Sequence, residues 1–299
     1  MAYRSLIIES PARLSVRRDQ LIIETDLEHS VPLEDIDALL LENRQSTLTA
    51  AALSRLGESG CALFVCDERH MPCAVLQPFC SHSRASAVLD LQLGASLPLK
   101  KRLWQAITVR KIENQAACLA QQGDREGEAK LRTMAKSVRS GDTGNVEAAA
   151  AAAYFPRLFG PDFTRQGEDS RNAPLNYGYA ILRGCIAREL AVHGFLPSLG
   201  LHHASELNAF NLADDLIEPF RAAVDLLVAA SFTENEPLTP AGKRLLFTVL
   251  QLDILSGGQH HSLSYAVARL VESLARSLRS GKCELMLPEL LPLAPHRYE

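Results

Sequence analysis

The sequence predicts an α+β fold, with a small β-rich N-terminal domain at residues 1–80 and a larger all-helical C-terminal domain at residues 84–299. Short apolar or alternating runs separated by turn residues occupy the first eighty positions. After residue 83, long stretches rich in Ala, Leu, Arg and Gln follow, with Gly and Pro confined to their ends. We expect the boundary near residues 78–84, within the turn-forming segment QPFCSHSR.

The N-terminal part is expected to form a small sheet packed on one helix. SLIIE, RLSVRR and QLIIET are short runs separated by Ser-Pro and Arg-Asp breaks, which is typical of a meander. Strand character returns in IDALLLEN, CALFVCD and PCAVLQP. Between them, TLTAAALSRLGESG has a Thr start, helical apolar spacing and a Gly stop, so it predicts a helix.

The remaining chain has the periodicity of helices. They are expected near residues 84–95, 98–121, 126–139, 144–155, 174–193, 208–230, 239–256 and 261–280. Six alanines at 148–153 favour a helix and let neighbouring helices approach closely.

Composition indicates an ordinary folded protein, with 47% hydrophobic and 22% charged residues. No apolar run approaches the roughly 20 residues that span a bilayer, and the first residues lack a signal-peptide core. A cytoplasmic location without membrane association is therefore expected. Four cysteines and two histidines lie close together in the sequence: Cys61, Cys66, Cys73, Cys80, His70 and His82. Their spacings match none of the usual zinc patterns, so reduced and mostly buried thiols are favoured over a zinc site.

The net charge of −4 hides a gradient along the chain. Residues 84–139 contain eleven Lys or Arg and five acids, which gives +6 for this segment and −10 for the rest. Such segregation suits a phosphate-facing surface with an acidic site elsewhere, although ordinary solvated helix faces give the same pattern.

Metal-capable side chains gather in HHASELNAFNLADDLIEPFR, residues 202–221. Asp215 and Glu218 are three positions apart, so a helix places them on one face. A nearby histidine, His202 or His203, with carboxylates suits Mg²⁺ or Mn²⁺. Alternatively, the acids complement the helix dipole and Arg221 neutralises Glu218.

Glu147 is the only charged residue in the small, apolar helix of TGNVEAAAAAAYF. If that helix is buried, the carboxylate needs a partner. Alternatively, Glu147 occupies the first helical turn, where an acid is favourable. Asn172, Asn176 and Tyr177 are candidates for hydrogen-bonding to metal ligands, or for capping and packing.

Four stretches together resemble the CRISPR-associated integrase family Cas1, in particular its members of about 300 residues from type II systems. They are GNVEAAAAAAYF, RNAPLNYGYAILR, GLHH and LADDLIEPFR. The resemblance implies a metal site of Glu147, His203 and Glu218, which binds Mg²⁺ or Mn²⁺ and forms the catalytic centre. His203 is chosen over His202 by matching the family's G-x-x-H pattern to Gly200.

The resemblance also implies a supporting residue. Asp215 matches the first acid of the family's D-L-x-E pattern and is expected to support the ligands from the metal's outer shell, as Asn172 is from its own position in the chain. The positive charge of residues 84–139 leads us to expect DNA binding at Arg84, Lys100, Lys101 and Arg102.

The implied activity is the insertion of spacer DNA into a CRISPR array. The 3′-hydroxyl of a pre-spacer attacks a phosphodiester at the edge of a repeat, and the same centre hydrolyses DNA as an endonuclease. The implied partners are double-stranded DNA, a second copy of the chain bound through the β-rich domain, and a Cas2 dimer in a hetero-hexameric complex. Two alternatives are a non-catalytic scaffold that binds DNA ends and a hydrolase of small phosphodiesters.

Overall fold

The computed structural model describes residues 4–76 and 84–297, and the α+β fold class is confirmed. Sheets occupy the N-terminal part and helices most of the remainder. Most of the predicted boundary segment lies outside the described residues, as do Cys80 and His82.

Two four-stranded sheets form the N-terminal part, where one small sheet was predicted. The strands are β1 (Arg4–Ile8), β2 (Arg13–Arg17), β3 (Gln20–Glu24), β4 (Glu28–Pro32), β5 (Ile36–Leu41), β6 (Thr47–Leu48), β7 (Ala62–Cys66) and β8 (Pro72–Val75). One sheet has the order β1-β5-β7-β8 and the other β4-β3-β2-β6. The antiparallel β2–β3–β4 series is the expected meander. In contrast, β1, β5 and β7 are parallel, in keeping with a β5 buried on both faces.

The helices agree closely with the prediction. They are α1 (Ala50–Ser59), α2 (Ala85–Leu93), α3 (Leu97–Gln121), α4 (Arg125–Ser137), α5 (Val146–Phe159), α6 (Asn172–Val192), α7 (Asn211–Ile217), α8 (Arg221–Ser231), α9 (Pro240–Phe247) and α10 (Leu263–Ser280). The predicted helix at 208–230 is divided by a 3₁₀ turn at Glu218–Phe220, because Pro219 has no N–H for the α-helical ladder. None of these helices is long and apolar enough to cross a bilayer.

A three-stranded sheet interrupts the C-terminal part, which was predicted to be all helical. Its strands are β9 (Leu252–Ser256), β10 (Gln259–Ser262) and β11 (Glu289–Pro295), in the order β10-β9-β11. The predicted helix at 239–256 therefore ends early. Burial alternates along β9, and Gly257 and Gly258 both adopt positive φ in the turn to β10. A Gly-Gly turn after an alternating run is a hairpin signal that overrides the helical spacing.

The first sheet lies between two parts of the core. Ala38, Leu40 and Phe64 belong to the large cluster shared with the helices, whereas Leu39 and Leu63 pack with the second sheet. Helix α6 lies close to β7 and β8, and a Cβ atom on Gly184 would come within 2.3 Å of the Phe64 ring. Because apolar packing continues across the predicted boundary, the division into two domains stays a prediction.

Candidate functional site

Helix α3 brings together three of the segments that the sequence singled out. The Trp104 ring stacks on the His202 ring at 4.2 Å between centroids. Lys111 forms ion pairs with both Glu147 and Glu218. Trp104 and Lys111 are seven residues apart, a spacing that places two side chains on the same face of a helix. One face of α3 therefore carries the site.

Glu147 lies in the first turn of α5, as the simpler interpretation of its position proposed. Its backbone N–H and that of Val146 donate to the two carboxylate oxygens of Asp142, each at 2.9 Å. Asp142 therefore fixes the start of the helix and the position of Glu147. The Glu147 carboxylate also contacts the Lys111 ammonium. It therefore complements the helix dipole and has a cationic partner as well.

Glu218 occupies the 3₁₀ turn between α7 and α8, and its side chain is buried. Oε1 accepts a hydrogen bond from Nε of Arg221 at 2.9 Å, which is the predicted i,i+3 pair. Oε2 is buried and forms an ion pair with the Lys111 ammonium. Although burial raises the pKa of Glu218, the charges of Arg221 and Lys111 lower it to about 2. The carboxylate is therefore ionised at neutral pH.

Asp215 is fully buried and orients His203. Its oxygens accept hydrogen bonds from the backbone N–H of Leu201 at 2.5 Å, His202 at 3.1 Å and His203 at 3.1 Å. It also bonds Nδ1 of His203 at 2.8 Å. Because that hydrogen bond places the proton on Nδ1, it leaves Nε2 of His203 as a lone-pair donor. The hydrogen bond to Asp215 also raises the pKa of His203.

The GLHH loop distinguishes the two histidines. The His202 ring is stacked against Trp104, whereas Trp104 meets the His203 ring edge-on at 5.7 Å. A Cβ atom on Gly200 would lie 2.2 Å from the His203 carbonyl oxygen and 2.8 Å from Oδ2 of Asp215. The loop can close over Asp215 only because residue 200 is glycine. This geometry favours His203 as the ligand.

The donor set fits a hard divalent cation. Two carboxylates and one neutral imidazole suit Mg²⁺ or Mn²⁺, and Oε2 of Glu218 is a buried anionic oxygen whose partner is a cation, the Lys111 ammonium. Among the residues that the structure describes, no three His, Cys, Asp or Glu side chains already converge on one point. Instead, the ammonium of Lys111 lies between Glu147 and Glu218.

Asn172 lies at the start of α6 and holds the preceding loop. Its amide donates to the carbonyls of Thr164 at 2.9 Å and Gly167 at 3.2 Å, and its oxygen accepts from Arg165 at 2.5 Å. These contacts do not reach Glu147, His203 or Glu218. The connection to the site is indirect: Arg165 and Arg221 both lie against the Tyr179 ring.

The four residues proposed to bind DNA lie near the N-terminal half of α3 and the start of α2. Lys100 and His203 line the same cleft, of about 380 Å³. Arg84 lines a second cleft with Arg279. Lys101 packs its stem near Gly141, and Arg102 donates to the carbonyl of Gly281 at 3.2 Å. Lys100 is thus the basic residue of the four that shares a cleft with a proposed ligand.

The described cysteines near His70, namely Cys61, Cys66 and Cys73, are free thiols. Burial raises the pKa of both Cys61 and Cys66 to about 12, which keeps the protonated form at neutral pH. Cys73 is exposed.

Sequence reasoning missed Lys111, Trp104 and Asn114. Lys111 was counted with the positive surface, but it is buried against two acids. Asn114, one turn further along α3, donates to the carbonyl of Pro219 at 2.7 Å and so holds the turn of Glu218. The sequence does show that these three residues share one face of a predicted helix. That spacing indicates a site only when the residues that contact this face are known.

Comparisons with known proteins identify the family of the chain. The family model described as CRISPR associated protein Cas1 matches residues 6–240. The CRISPR-associated endonuclease Cas1 of Neisseria meningitidis serogroup C is 46% identical over 304 aligned positions, covering 100% of both chains.

Solved structures share the fold. A Cas1 protein from Thermotoga maritima has a TM-score of 0.73 at 16% identity, covering 94% of this chain and 99% of that one. A casposase bound to integration product has 0.71 at 21% identity, covering 94% and 91%. A partial Cas6-RT-Cas1–Cas2 complex has 0.66 at 18% identity, covering 96% and 99%. With its full-length 46% identical relative and its matching family model, the chain belongs to the CRISPR-associated Cas1 family of endonucleases and integrases.

Proposed function

We propose that this chain is a metal-dependent integrase and endonuclease that inserts new spacer DNA into a CRISPR array. One observation carries the proposal: the Glu147 and Glu218 carboxylates meet at a single cationic position. The His203 ring packs against Trp104 of the same helix α3, and its Asp215 anchor directs Nδ1 so that Nε2 is the nitrogen offered to an ion. This grouping is the chemistry that a phosphodiester-transferring metal site requires.

Glu147, His203 and Glu218 would hold Mg²⁺ or Mn²⁺. When bound, the ion neutralises non-bridging phosphate oxygens and lowers the pKa of the attacking hydroxyl. The chain's own residues do the positioning. Asp215 fixes the imidazole, Arg221 holds Oε1 of Glu218, and Lys100 offers a positive charge in the cleft beside His203.

The proposed reaction is strand transfer. The 3′-hydroxyl of a pre-spacer attacks a phosphodiester at the repeat edge, a new P–O bond forms, and the former 3′-oxygen of the repeat leaves as a hydroxyl. One phosphodiester replaces another, so no nucleotide cofactor is needed. With water as nucleophile, the same site acts as an endonuclease.

The proposed partners are double-stranded DNA, a second copy of the chain and a Cas2 dimer, assembled as a hetero-hexamer in the cytoplasm. Two similar structures support parts of this assembly. The casposase is bound to integration product, and the partial complex contains Cas1 with Cas2. For this chain, both partnerships are part of the proposal.

An integration assay tests the function. The protein, its Cas2 partner, a pre-spacer and a repeat-bearing plasmid are incubated with EDTA, Mg²⁺ or Mn²⁺. We expect half-site products only with a divalent ion, and a loss of at least about 100-fold for Glu147→Ala, because one anionic ligand is removed. Glu58→Ala, on exposed α1, is the matched control and should remain active. Product formation by Glu147→Ala at the wild-type rate would contradict the proposal.

The Lys111 contacts favour one alternative, a non-catalytic scaffold that binds DNA ends. In that case Lys111 and Arg221 satisfy both carboxylates, and the acids are structural. The scaffold hypothesis predicts salt-sensitive DNA binding without a metal-dependent product. It also predicts that Glu147→Gln lowers stability equally with and without Mn²⁺. The other alternative is a hydrolase of small phosphodiesters. In that case a nucleotide diester should compete successfully with duplex DNA for the site.

A further inference from the structure

We propose that Lys111 is a tethered counter-ion that fills the cation position of the site in the metal-free protein and is expelled when the divalent ion binds. The inference rests on the proposed function, which assigns Glu147 and Glu218 as metal ligands. It adds a residue that the sequence shows only as one of the eleven basic residues in the positive segment.

The first support is where the ammonium lies. Lys111 extends from the middle of α3, and only 9% of its side chain is exposed. Its Nζ contacts Oε1 of Glu147 and Oε2 of Glu218, two carboxylates carried by different elements. Lys111 thus occupies the point at which both carboxylates present an oxygen.

The second support is charge. Without a cation between them, two carboxylates in a partly buried site repel each other, and Glu218 is buried. Arg221 is bonded to Oε1 of Glu218, on the opposite oxygen from Lys111. Lys111 is therefore the group that offsets the repulsion between Glu147 and Glu218 and keeps them together before metal arrives.

The third support is that the two cations cannot share these oxygens. A divalent ion needs direct carboxylate contacts, and an ammonium in contact with the same oxygens is repelled by it. The flexible four-carbon stem of lysine lets the ammonium withdraw while α3 stays in place. Metal binding is then an exchange of cations. The apparent metal affinity is the intrinsic affinity multiplied by the fraction of molecules in which Lys111 has left the site.

Direct binding of Mn²⁺, without DNA, tests the exchange. Free Mn²⁺ is measured by electron paramagnetic resonance for the full chain and for Lys111→Met, with the exposed Lys130→Met as the charge-matched control. We expect Lys111→Met to bind Mn²⁺ at least about tenfold more tightly, since the competing ammonium is gone. Its melting temperature without metal should fall and be restored by Mn²⁺. Equal or weaker Mn²⁺ binding by Lys111→Met than by Lys130→Met would overturn the inference.

A second measurement uses the wild-type protein and so does not depend on the folding of a variant. Brief acetylation with acetic anhydride, read by mass spectrometry, should label Lys111 slowly without metal and several-fold faster at saturating Mn²⁺. Lys130 should be labelled equally in both. Unchanged labelling of Lys111 overturns the inference.

Failure of the proposed function gives a different result. If Glu147→Gln and Glu218→Gln bind Mn²⁺ as tightly as the wild type, the ligand assignment itself is wrong. If both lose Mn²⁺ while Lys111→Met binds as the wild type does, the metal site stands and only the counter-ion role fails.

Discussion

Three buried ionisable side chains organise the site: Lys111 and Glu218 contact each other, and Asp215 holds the loop of His203. Each has an opposite charge or several hydrogen-bond donors in contact. Removing one partner of such a buried pair leaves an uncompensated charge, which typically costs about 3–5 kcal/mol. Substitutions here change both stability and ligand geometry, so binding and folding must be measured together.

Asp215→Asn tests the support of His203. The asparagine has the same shape but one acceptor oxygen, so it cannot accept all four hydrogen bonds that reach Asp215. We expect Mn²⁺ affinity to fall by about 10- to 100-fold, measured by titration calorimetry. Asp26→Asn, at an exposed turn, is the control. An unchanged affinity in Asp215→Asn would show that the imidazole needs no such anchor.

Asp225, which is not one of the proposed metal ligands, should make the stability of the fold depend on pH. It is buried and accepts hydrogen bonds from Tyr154 and Tyr179. Burial raises its pKa from 3.8 to about 6. Between these values the folded protein binds more protons than the unfolded chain, so this contribution to stability is lost as pH rises through about 6.

Asp225→Asn removes that pH dependence. Relative to this variant, the wild type should lose about 1 kcal/mol of unfolding free energy between pH 5 and pH 7. Urea unfolding of both proteins at the two pH values measures the difference. A difference between the two proteins that stays constant with pH would mean that Asp225 titrates normally.

At this scale, the sequence indicates acids more readily than their partners. The sequence shows that Glu147 is isolated among apolar residues and that Glu218 and Arg221 are spaced as an i,i+3 pair. The role of Lys111 is not, because a lysine on a helix is by default solvated and only tertiary packing brings Glu147 and Glu218 to it. Asn172 illustrates the converse: its position in a family motif suggested a ligand contact, and its hydrogen bonds hold a loop.

Two local features of the backbone position the proposed ligands. Pro219 divides the predicted helix into α7 and α8 and places Glu218 in the turn between them. Gly200 lets the following loop close over the carboxylate of Asp215. Asn114 of α3 then joins the Pro219 carbonyl to the C-terminal segment, donating also to the carbonyl of Pro288 at 3.0 Å.

Gly200→Ala tests the close approach in the His203 loop. The added Cβ would lie 2.2 Å from a backbone oxygen, which is not the end of a flexible side chain. We expect a loss of about 1–3 kcal/mol in unfolding free energy and weaker Mn²⁺ binding, measured by denaturant unfolding and calorimetry. Gly57→Ala, inside α1 with 3.8 Å to its nearest neighbour, should instead gain about 0.5–1 kcal/mol. Equal stability changes in the two variants would argue against a packed GLHH loop.

Element boundaries were predictable where periodicity and caps agree. Helix α3, predicted at 98–121, spans Leu97–Gln121, and α1 has the expected Thr49 cap and left-handed Gly60. The β9–β10 hairpin was missed because apolar spacing near residue 250 also fits a helix. The parallel pairing of β1, β5 and β7 was missed because it depends on contacts far apart in the sequence.

Over the whole molecule, the positive segment is used in two ways. Lys111 is drawn into the site, and several other cations pair with acids of the same segment, such as Arg125 and Arg132 with Glu128. The N-terminal half of α3 keeps Lys100, Lys101 and Arg102 near the surface, with Lys100 in the cleft of His203. Net charge along the sequence therefore indicates the proposed DNA-binding face but overstates its extent.

The salt dependence of duplex binding measures this face. Replacing Lys100, Lys101 and Arg102 together with Gln should reduce the slope of log K against log salt by roughly 2 to 3, as each lost phosphate contact removes about one unit. The matched triple variant on α4, at Arg125, Lys130 and Arg132, should change the slope less. Equal reductions in the two variants would mean that long-range charge, and not the α3 face, attracts DNA.

The most direct test of the central claim is the position of a bound ion. Crystals of the chain with Mn²⁺ would be measured at a wavelength where manganese scatters anomalously. We predict one strong anomalous peak in contact with Glu147, Glu218 and Nε2 of His203, since two carboxylates and one imidazole suit this ion. Saturating Mn²⁺ with no peak between these three side chains would contradict the assignment.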